Sequence, residues 1–452
     1  VRLCIVGGGG FRTPHVWQAV LRRSRTAWVD EVVLHDVDPH RLAVIEAVLT
    51  SQAARHPDPP RLVTTTDLRE AVAGSDAVFA AVRVGGLDGR CTDEHVALDL
   101  GVLGQETTGP GGIAYALRTV PVMVRLAELM RELAPTAYLL NFTNPAGIIT
   151  EATSAVLGDR VVGICDTPSG LGRAVVRALG ADPVTVAFDY VGLNHLGWMR
   201  RVLIDGDDVL PALLADDALL GRLEETAMFG ADWLRTLGCL PNEYLYYYDF
   251  TREAVASIRA AGRTRGDFLK ATQEEFYRTA LAGPDPAAYW REVGAWRNAN
   301  YMAEARGAAQ GEGGRETEDP DGSEEDEGYA GVAVSVMAAM TLGEPATHIL
   351  NVRNRGTVDG FDDDAVVEIP VRVDGSGVHP LPLPSQPDLH QRGLMEQIKA
   401  VERHAIAAAT TGDRSEALRA FALHPLVDSV TVARTLLDHY IAALPDLAAI
   451  LR

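Results

Sequence analysis

Four glycines in a row, Gly7 to Gly10, follow the apolar segment Val1 to Val6 and precede a helical pattern running from Pro14 towards Leu21. Glycines at 7 and 9 let a backbone turn tightly and approach a pyrophosphate, whose charge the N-terminus of the next helix stabilises. The third glycine of the GxGxxG fingerprint is absent, and Arg12 stands in its place. Asp36 closes a second apolar segment, Glu31 to Leu34 and His35, about 20 residues or a little more beyond the glycines. An acid at that interval can bind a ribose diol and repels a 2′-phosphate, so NAD is expected over NADP. The candidate cofactor-binding residues are thus Gly7, Gly9, Gly10, Phe11, Arg12 and Asp36. Taken alone the glycine fingerprint is weak, because such strand-to-helix turns also occur without a nucleotide, but with strand, helix and Asp36 in register it favours nucleotide binding over a structural turn.

Other reactive side chains carry less meaning one at a time. Cys4, Cys91, Cys165 and Cys239 are far apart and form no CxxC pair or zinc-ribbon spacing, so each by itself reads as a buried free thiol. By itself His195 reads as a satisfied structural histidine, and the aromatic run Tyr246 to Tyr248 as core.

Elements must hold these groups in place. Further apolar segments occur at Asp76 to Val82, Ala137 to Phe142 and Val161 to Ile164, with a helix over Pro121 to Leu133 whose apolar face is Val122, Leu126, Leu129 and Leu133. Strands alternating with helices imply an α/β, doubly wound parallel sheet of the Rossmann kind over residues 1–165. Beyond Cys165 the pattern is less regular, with a helix over Leu210 to Thr226, a strand over Ala365 to Val373, and helices over Leu394 to Ala409 and Val427 to Leu444. Residues 166–452 are therefore expected to form a second, α+β domain. The acidic stretch Gly307 to Gly328 reads as a solvated loop.

The chain of 452 residues carries a formal charge of −21 and is 47% hydrophobic. That charge disfavours nucleic acid or an anionic membrane as a partner and leaves a small molecule as the expected one. No apolar run has the length of a membrane span, and the chain enters its first strand at once, so a cytoplasmic location is expected.

The stretch from Pro135 through Asn141, Phe142, Thr143, Asn144 and Pro145 to Gly163, Ile164 and Cys165 resembles the signature of glycoside hydrolase family 4. Joining it are GGGGFRTP (Gly7 to Pro14), GVLGQETTGPGG (Gly101 to Gly112), GICDTPSG (Gly163 to Gly170), GLNHLGW (Gly192 to Trp198), EYLYYY (Glu243 to Tyr248), ILNVRNRG (Ile349 to Gly356) and AVVEIPV (Ala365 to Val371). The resemblance implies an architecture like that of lactate and malate dehydrogenases and a hydrolase that uses NAD and a divalent metal, usually manganese, in place of paired carboxylates. A hydride leaves C3 of the sugar, a side-chain base takes the C2 proton, and the C1 oxygen is eliminated. Water then adds, and the hydride returns.

The resemblance assigns Cys165 and His195 to the metal, with open positions for substrate oxygens. It matches Asp166 to the acid that protonates the leaving group, with a helix N-cap as the alternative, and Tyr247 to the base, with Tyr246 and Tyr248 as neighbours. A phenol titrates near pH ~10, so this base needs a nearby cation. Arg90, Glu106 and Asn144 match sugar-contacting positions. Each could instead fix its own loop, Arg90 by pairing with Asp93 or Glu94. A homo-oligomer, dimer or tetramer, is also implied.

Asp166, Thr167 and Pro168 after the cysteine argue for a 6-phosphoglycoside, and EYLYYY and GLNHLGW look more like the β-specific branch than the α-specific one. Against the phosphate stands Asp326, Glu327, Gly328, where relatives often carry an arginine followed by two glycines before the tyrosine matched by Tyr329. Arg12, Arg353 or Arg355 could substitute, or the glycoside could be unphosphorylated. Two other classes share the glycine turn: a 2-hydroxy acid dehydrogenase, for which Cys165 has no role, and a non-catalytic nucleotide sensor, which explains none of Cys165, His195 and Tyr247.

Overall fold

The alternating apolar segments of the first third become a parallel sheet. In a computed structural model, which describes residues 1–23, 28–299 and 328–451, strands β1 (Arg2–Val6), β2 (Glu31–His35), β3 (Arg61–Thr65), β4 (Ala77–Ala80), β5 (Tyr138–Asn141) and β6 (Val161–Gly163) lie in the order β3-β2-β1-β4-β5-β6. Every neighbouring pair among them is parallel. This is the Rossmann order, with its switch point between β1 and β4. Side chains alternate across the sheet with the period of two that a strand dictates. Leu3 and Ile5 of β1 enter the apolar cluster on one face, and Cys4 and Val6 enter the cluster on the other.

Helices cover both faces: α1 (Thr13–Arg23), α2 (Pro39–Ala53), α3 (Leu68–Val72), α4 (Gly86–Asp99), α5 (Pro110–Leu133), α6 (Ala146–Leu157) and α7 (Asp166–Leu179). The start of α2 is fixed by Asp38, whose carboxylate accepts from the backbone N–H groups of His40 and Arg41. Helix α5 starts well before the expected Pro121, at the Gly109-Pro110 turn, and Pro121 is accommodated inside it. Its residue Val122 is 43% exposed rather than packed in the core.

The second half does not build a separate sheet. Strands β7 (Val186–Leu193), β8 (Leu196–Ile204), β9 (Asp207–Asp208), β10 (Leu240–Pro241), β11 (Ala346–Arg353), β12 (Val366–Asp374) and β13 (Gly377–Pro380) extend the first one to 13 strands. The junction is antiparallel: Asn351 of β11 pairs with Gly163 of β6, and Glu368 of β12 pairs with Gly192 of β7. The helix expected over Leu210 to Thr226 is three short ones, Leu210–Ala215, Asp217–Leu220 and Glu224–Phe229, because Asp216 leaves the first and caps the second. Long helices at Leu389–Thr411 and Val430–Ala443 form where the periodicity indicated, but instead of packing the second half they lay most of their apolar faces on α4, α5 and α6, in the cluster shared with Cys4 and Val6 of β1. Most of the acidic stretch, including Asp326 and Glu327, lies outside the described residues. No helix among the described residues is long and apolar enough to cross a membrane. Burial pushes the thiols of Cys4 and Cys239 up to about 12, which leaves them unreactive.

Candidate active site

A cleft of about 1640 Å³ opens at the C-terminal ends of the parallel strands, where ligands bind in open α/β sheets. Gly7, Gly10, Phe11, Arg12, Asp36, Arg90, Glu106, Asn144, Cys165, Asp166, His195 and Tyr247 all line it. Of the residues expected from the sequence only Gly9 does not, and it is tied to the site by its backbone: its N–H donates to Oδ2 of Asp36 at 3.1 Å. The cleft exceeds an ordinary small-molecule pocket and has room for a dinucleotide with a second ligand.

The glycine turn is sterically dictated. Gly7 has φ +85°, and a Cβ there would lie 2.5 Å from the carbonyl oxygen of Ala81, while one on Gly8 would lie 2.7 Å from Cβ of Leu34. Only glycine lets β1 turn this close to β2 and β4. Tyr277, on the helix Arg265–Thr279, donates its hydroxyl proton to the Gly9 carbonyl at 2.7 Å, so the second half of the chain braces the turn. Phe11 is itself buried, edge-on to Phe276 with ring centroids 5.1 Å apart, and its carbonyl accepts from Trp290 Nε1 at 2.8 Å. Its ring packs the turn from behind.

Next to the turn lies a chain of charges. Arg90 pairs with Glu94 at 2.8 Å and with Glu106 at 2.7 Å, and Arg83 reaches Glu106 at 2.5 Å. Asp93, the other partner considered for Arg90, is held by Arg118 instead. Burial opposes ionisation of Glu106, but Arg83 and Arg90 outweigh it and hold the carboxyl down at about 2. Glu106 is therefore an anion fixed between two guanidiniums, suited to orienting hydroxyls. Arg83 had no motif to mark it in the sequence.

Cys165 ends the loop after β6 and occupies the N-cap position of α7 without a side-chain cap bond. The capping alternative for Asp166 therefore fails: Asp166 is the first helical residue, and its carboxylate faces Arg12 at 3.8 Å. His195 sits in the β7–β8 turn with φ +63°, a left-handed conformation that a non-glycine residue holds only under structural constraint. Burial lowers its pKa to about 4, against the pull of Asp166 and Glu106, so the imidazole is neutral and has a lone pair to offer. Burial also raises the Cys165 thiol well above its usual range, with Glu368 and Asp166 adding to it. A soft thiol, a neutral imidazole and the surrounding acids fit a divalent cation, which would neutralise that negative field. Among the described residues no three His, Cys, Asp or Glu side chains form a metal-binding group, so Cys165 and His195 would be a partial donor set.

The tyrosine run is divided by the fold. Tyr246 packs among Phe229 and Phe250, and Tyr248 stacks on His424. Tyr247 faces the cleft, and so does Tyr244, which the sequence reading passed over. Tyr244 stacks on His195 with centroids 3.8 Å apart and planes 12° from parallel. Thr167 of α7 donates to Oε1 of Glu243 at 3.1 Å, joining the tyrosine segment to the cysteine helix. Glu368 was also missed. It accepts from Tyr190 and Asn351, each at 2.9 Å, and burial pushes it up to about 7. Arg353 and Arg355 both pair with Asp159 and do not line the cleft, so neither substitutes for the missing phosphate arginine.

These arrangements have relatives. The chain is 30% identical to the 6-phospho-beta-glucosidase of Escherichia coli (strain K12), over 98% of this chain and 95% of that one. The structure of the Thermotoga maritima 6-phospho-beta glucosidase with manganese, NAD+ and glucose-6-phosphate superposes with a TM-score of 0.82 at 26% identity, covering 99% of each chain. A 6-phospho-alpha-glucosidase from gut microorganisms, in complex with NAD and Mn2+, gives 0.81 at 27% identity, covering 98% of this chain and 97% of that one. The model described as family 4 glycosyl hydrolase matches residues 2–181, and that of the family 4 glycosyl hydrolase C-terminal domain matches residues 190–427. With the glycine turn, Cys165, His195 and the tyrosine segment gathered in one cleft, the chain belongs to glycosyl hydrolase family 4.

Proposed function

We propose that the chain hydrolyses 6-phosphoglucosides, the β anomer in preference to the α, with NAD and a divalent metal, manganese being the one named for its solved relatives. The observation that carries this is the sharing of one cleft by the glycine turn, the Cys165 and His195 pair and Tyr244. In this reading residues 1–165 hold the dinucleotide and residues 166–452 bring metal and sugar to it. A cytoplasmic homo-oligomer belongs to the same reading, supported by the family resemblance.

The glycine turn and Asp36 would hold NAD, which would supply a hydride acceptor and donor for C3 of the sugar, and Cys165 and His195 would hold the metal, which would supply polarisation of the oxygen at C3. Tyr244 takes the C2 proton: its ring lies flat against His195, and a cation held at that histidine would lower the phenol's pKa towards neutrality. Tyr247, which also faces the cleft, orders the sugar beneath it. Asp166 gives a proton to the departing C1 oxygen and is left as the carboxylate, which the Arg12 guanidinium at 3.8 Å stabilises. Arg90, Glu106 and Asn144 orient the hydroxyls.

The test is release of p-nitrophenol from the α and β anomers of p-nitrophenyl glucoside, each with and without a 6-phosphate, in the presence and absence of NAD+ and Mn2+. Turnover of the phosphorylated β substrate only when both are present is the expected result. Turnover of unphosphorylated sugars alone would keep the family chemistry and overturn the substrate. Net NADH formation without release would point to a dehydrogenase.

A further inference from the structure

Glu368 has no part in the steps above and does not line the cleft, yet it is wholly buried and its partners lead to three elements of the site. Its carboxylate accepts from the Tyr190 hydroxyl of β7 and from Asn351 Nδ2 of β11, both at 2.9 Å. The first line runs to the cysteine. Asn351 lies opposite Gly163 at the end of β6, so closely that a Cβ on Gly163 would fall 2.8 Å from that of Asn351, and Cys165 is two residues further on.

The second line runs to the histidine. Glu368 itself lies opposite Gly192 of β7, and the strands that flank the His195 turn close on the hydroxyl it holds: a Cβ on Gly197 would lie 2.3 Å from the Tyr190 oxygen. Only glycine at 197 leaves that oxygen its place. Asn194, next to His195, lies close to Glu368 and accepts from the Ala146 N–H at 3.0 Å, which ties the turn to the start of α6. The third line runs to the tyrosines. Asn242 Nδ2 donates to the Tyr190 oxygen at 3.1 Å, while Asn242 Oδ1 accepts from the Tyr244 N–H at 3.0 Å and its own N–H donates to the Gly197 carbonyl at 2.9 Å.

The donors to Glu368 are a phenol and an amide, and among the described residues no lysine, arginine or histidine pairs with it. A carboxylate kept inside the fold without a positive partner is costly. Its negative charge is felt at the Cys165 thiol, on the side where a cation would be held. Hydrogen-bonded groups behind metal ligands fix the ligands' orientation and raise affinity for the ion.

We infer that Glu368 is a positioning residue: through Asn351, Tyr190 and Asn242 it holds the Cys165, His195 and Tyr244 segments in register, so that thiol and imidazole meet one divalent cation beside the phenol. The inference rests on the metal-dependent reading above.

The experiment titrates wild type, Glu368→Gln and Tyr190→Phe with Mn2+ by electron paramagnetic resonance and with NAD+ by fluorescence, after thermal melts establish which variants are folded. Glu368→Gln keeps the shape but loses the charge and one acceptor, and should weaken Mn2+ roughly ten- to hundredfold while NAD+ affinity stays within about twofold. Tyr190→Phe keeps the ring and removes one hydrogen bond from each of its partners, so it should weaken Mn2+ roughly three- to tenfold, again sparing NAD+; it carries the same comparison if Glu368→Gln does not fold. Wild-type Mn2+ affinity in the folded variants, or equal loss of Mn2+ and NAD+, would reduce Glu368 to a part of the general scaffold and overturn the inference. Failure of the metal reading looks different: wild type itself would then bind no Mn2+.

Discussion

The imidazole of His195 and the phenol ring of Tyr244 lie face to face, 3.8 Å between centroids. The histidine proposed as a metal ligand and the tyrosine proposed as the base are thereby joined through a single contact. Replacing Tyr244 with Phe keeps the stack and removes the hydroxyl, so kcat should fall roughly 10²- to 10⁴-fold while Mn2+ affinity stays near wild type. Tyr247→Phe should act mainly on KM. Steady-state kinetics on both variants decides between them, and a larger kcat loss for Tyr247→Phe would return the base role to that residue.

Cys165 and His195 each line the cleft, one from the end of the parallel sheet and one from the antiparallel extension. If together they hold the metal, Cys165→Ser and His195→Ala should each weaken Mn2+ binding by roughly a hundredfold or more. Electron paramagnetic resonance titration of Mn2+ measures this without reference to activity. Wild-type affinity in either variant would remove that residue from the donor set.

Asp36 accepts from Gly9 N–H and from Asp38 N–H, both at 3.1 Å, which aims its carboxylate at the mouth of the glycine turn. Asp36→Ala should lower NAD+ affinity by roughly tenfold or more and narrow the preference over NADP+. Fluorescence titration with the two dinucleotides gives both numbers, and an unchanged NAD+ affinity would count against this carboxylate as the ribose ligand.

His424 is buried and its pKa is pushed down to about 3, below the 6.5 of an ordinary histidine. The unfolded chain therefore binds an extra proton between those values, and the contribution of this histidine to stability is full above about pH 6.5 and is lost as the pH falls. From about pH 6.5 to about pH 5 the wild type should lose ~2 kcal/mol more than His424→Asn, at 1.36 kcal/mol per unit. Urea denaturation at the two pH values checks it; parallel losses in both proteins would place the acid sensitivity elsewhere.

The Rossmann half was legible because its signals are local: an apolar strand, a glycine turn and a helix follow one another within about 20 residues, and Asp36 comes at its usual interval. The joining of the halves was not, because Gly163 meets Asn351 and Gly192 meets Glu368 across long stretches of chain, and no periodicity reports such pairings. Tyr244 and Tyr247 are three residues apart and so share a helical face, and only the position of the β7–β8 turn shows which ring meets His195. Arg353 and Arg355 looked equally available in the sequence and turned out to be bound to Asp159.

The central claim is that hydrolysis proceeds through loss of the C2 proton with a recycled hydride. The most direct measurement is to turn over p-nitrophenyl 6-phospho-β-glucoside in D2O with NAD+ and Mn2+ and to analyse the glucose 6-phosphate by NMR. Deuterium at C2, no net NADH, and no turnover when either cofactor is omitted is the expected result. Hydrolysis that leaves C2 fully protonated, or that runs without NAD+, would contradict it.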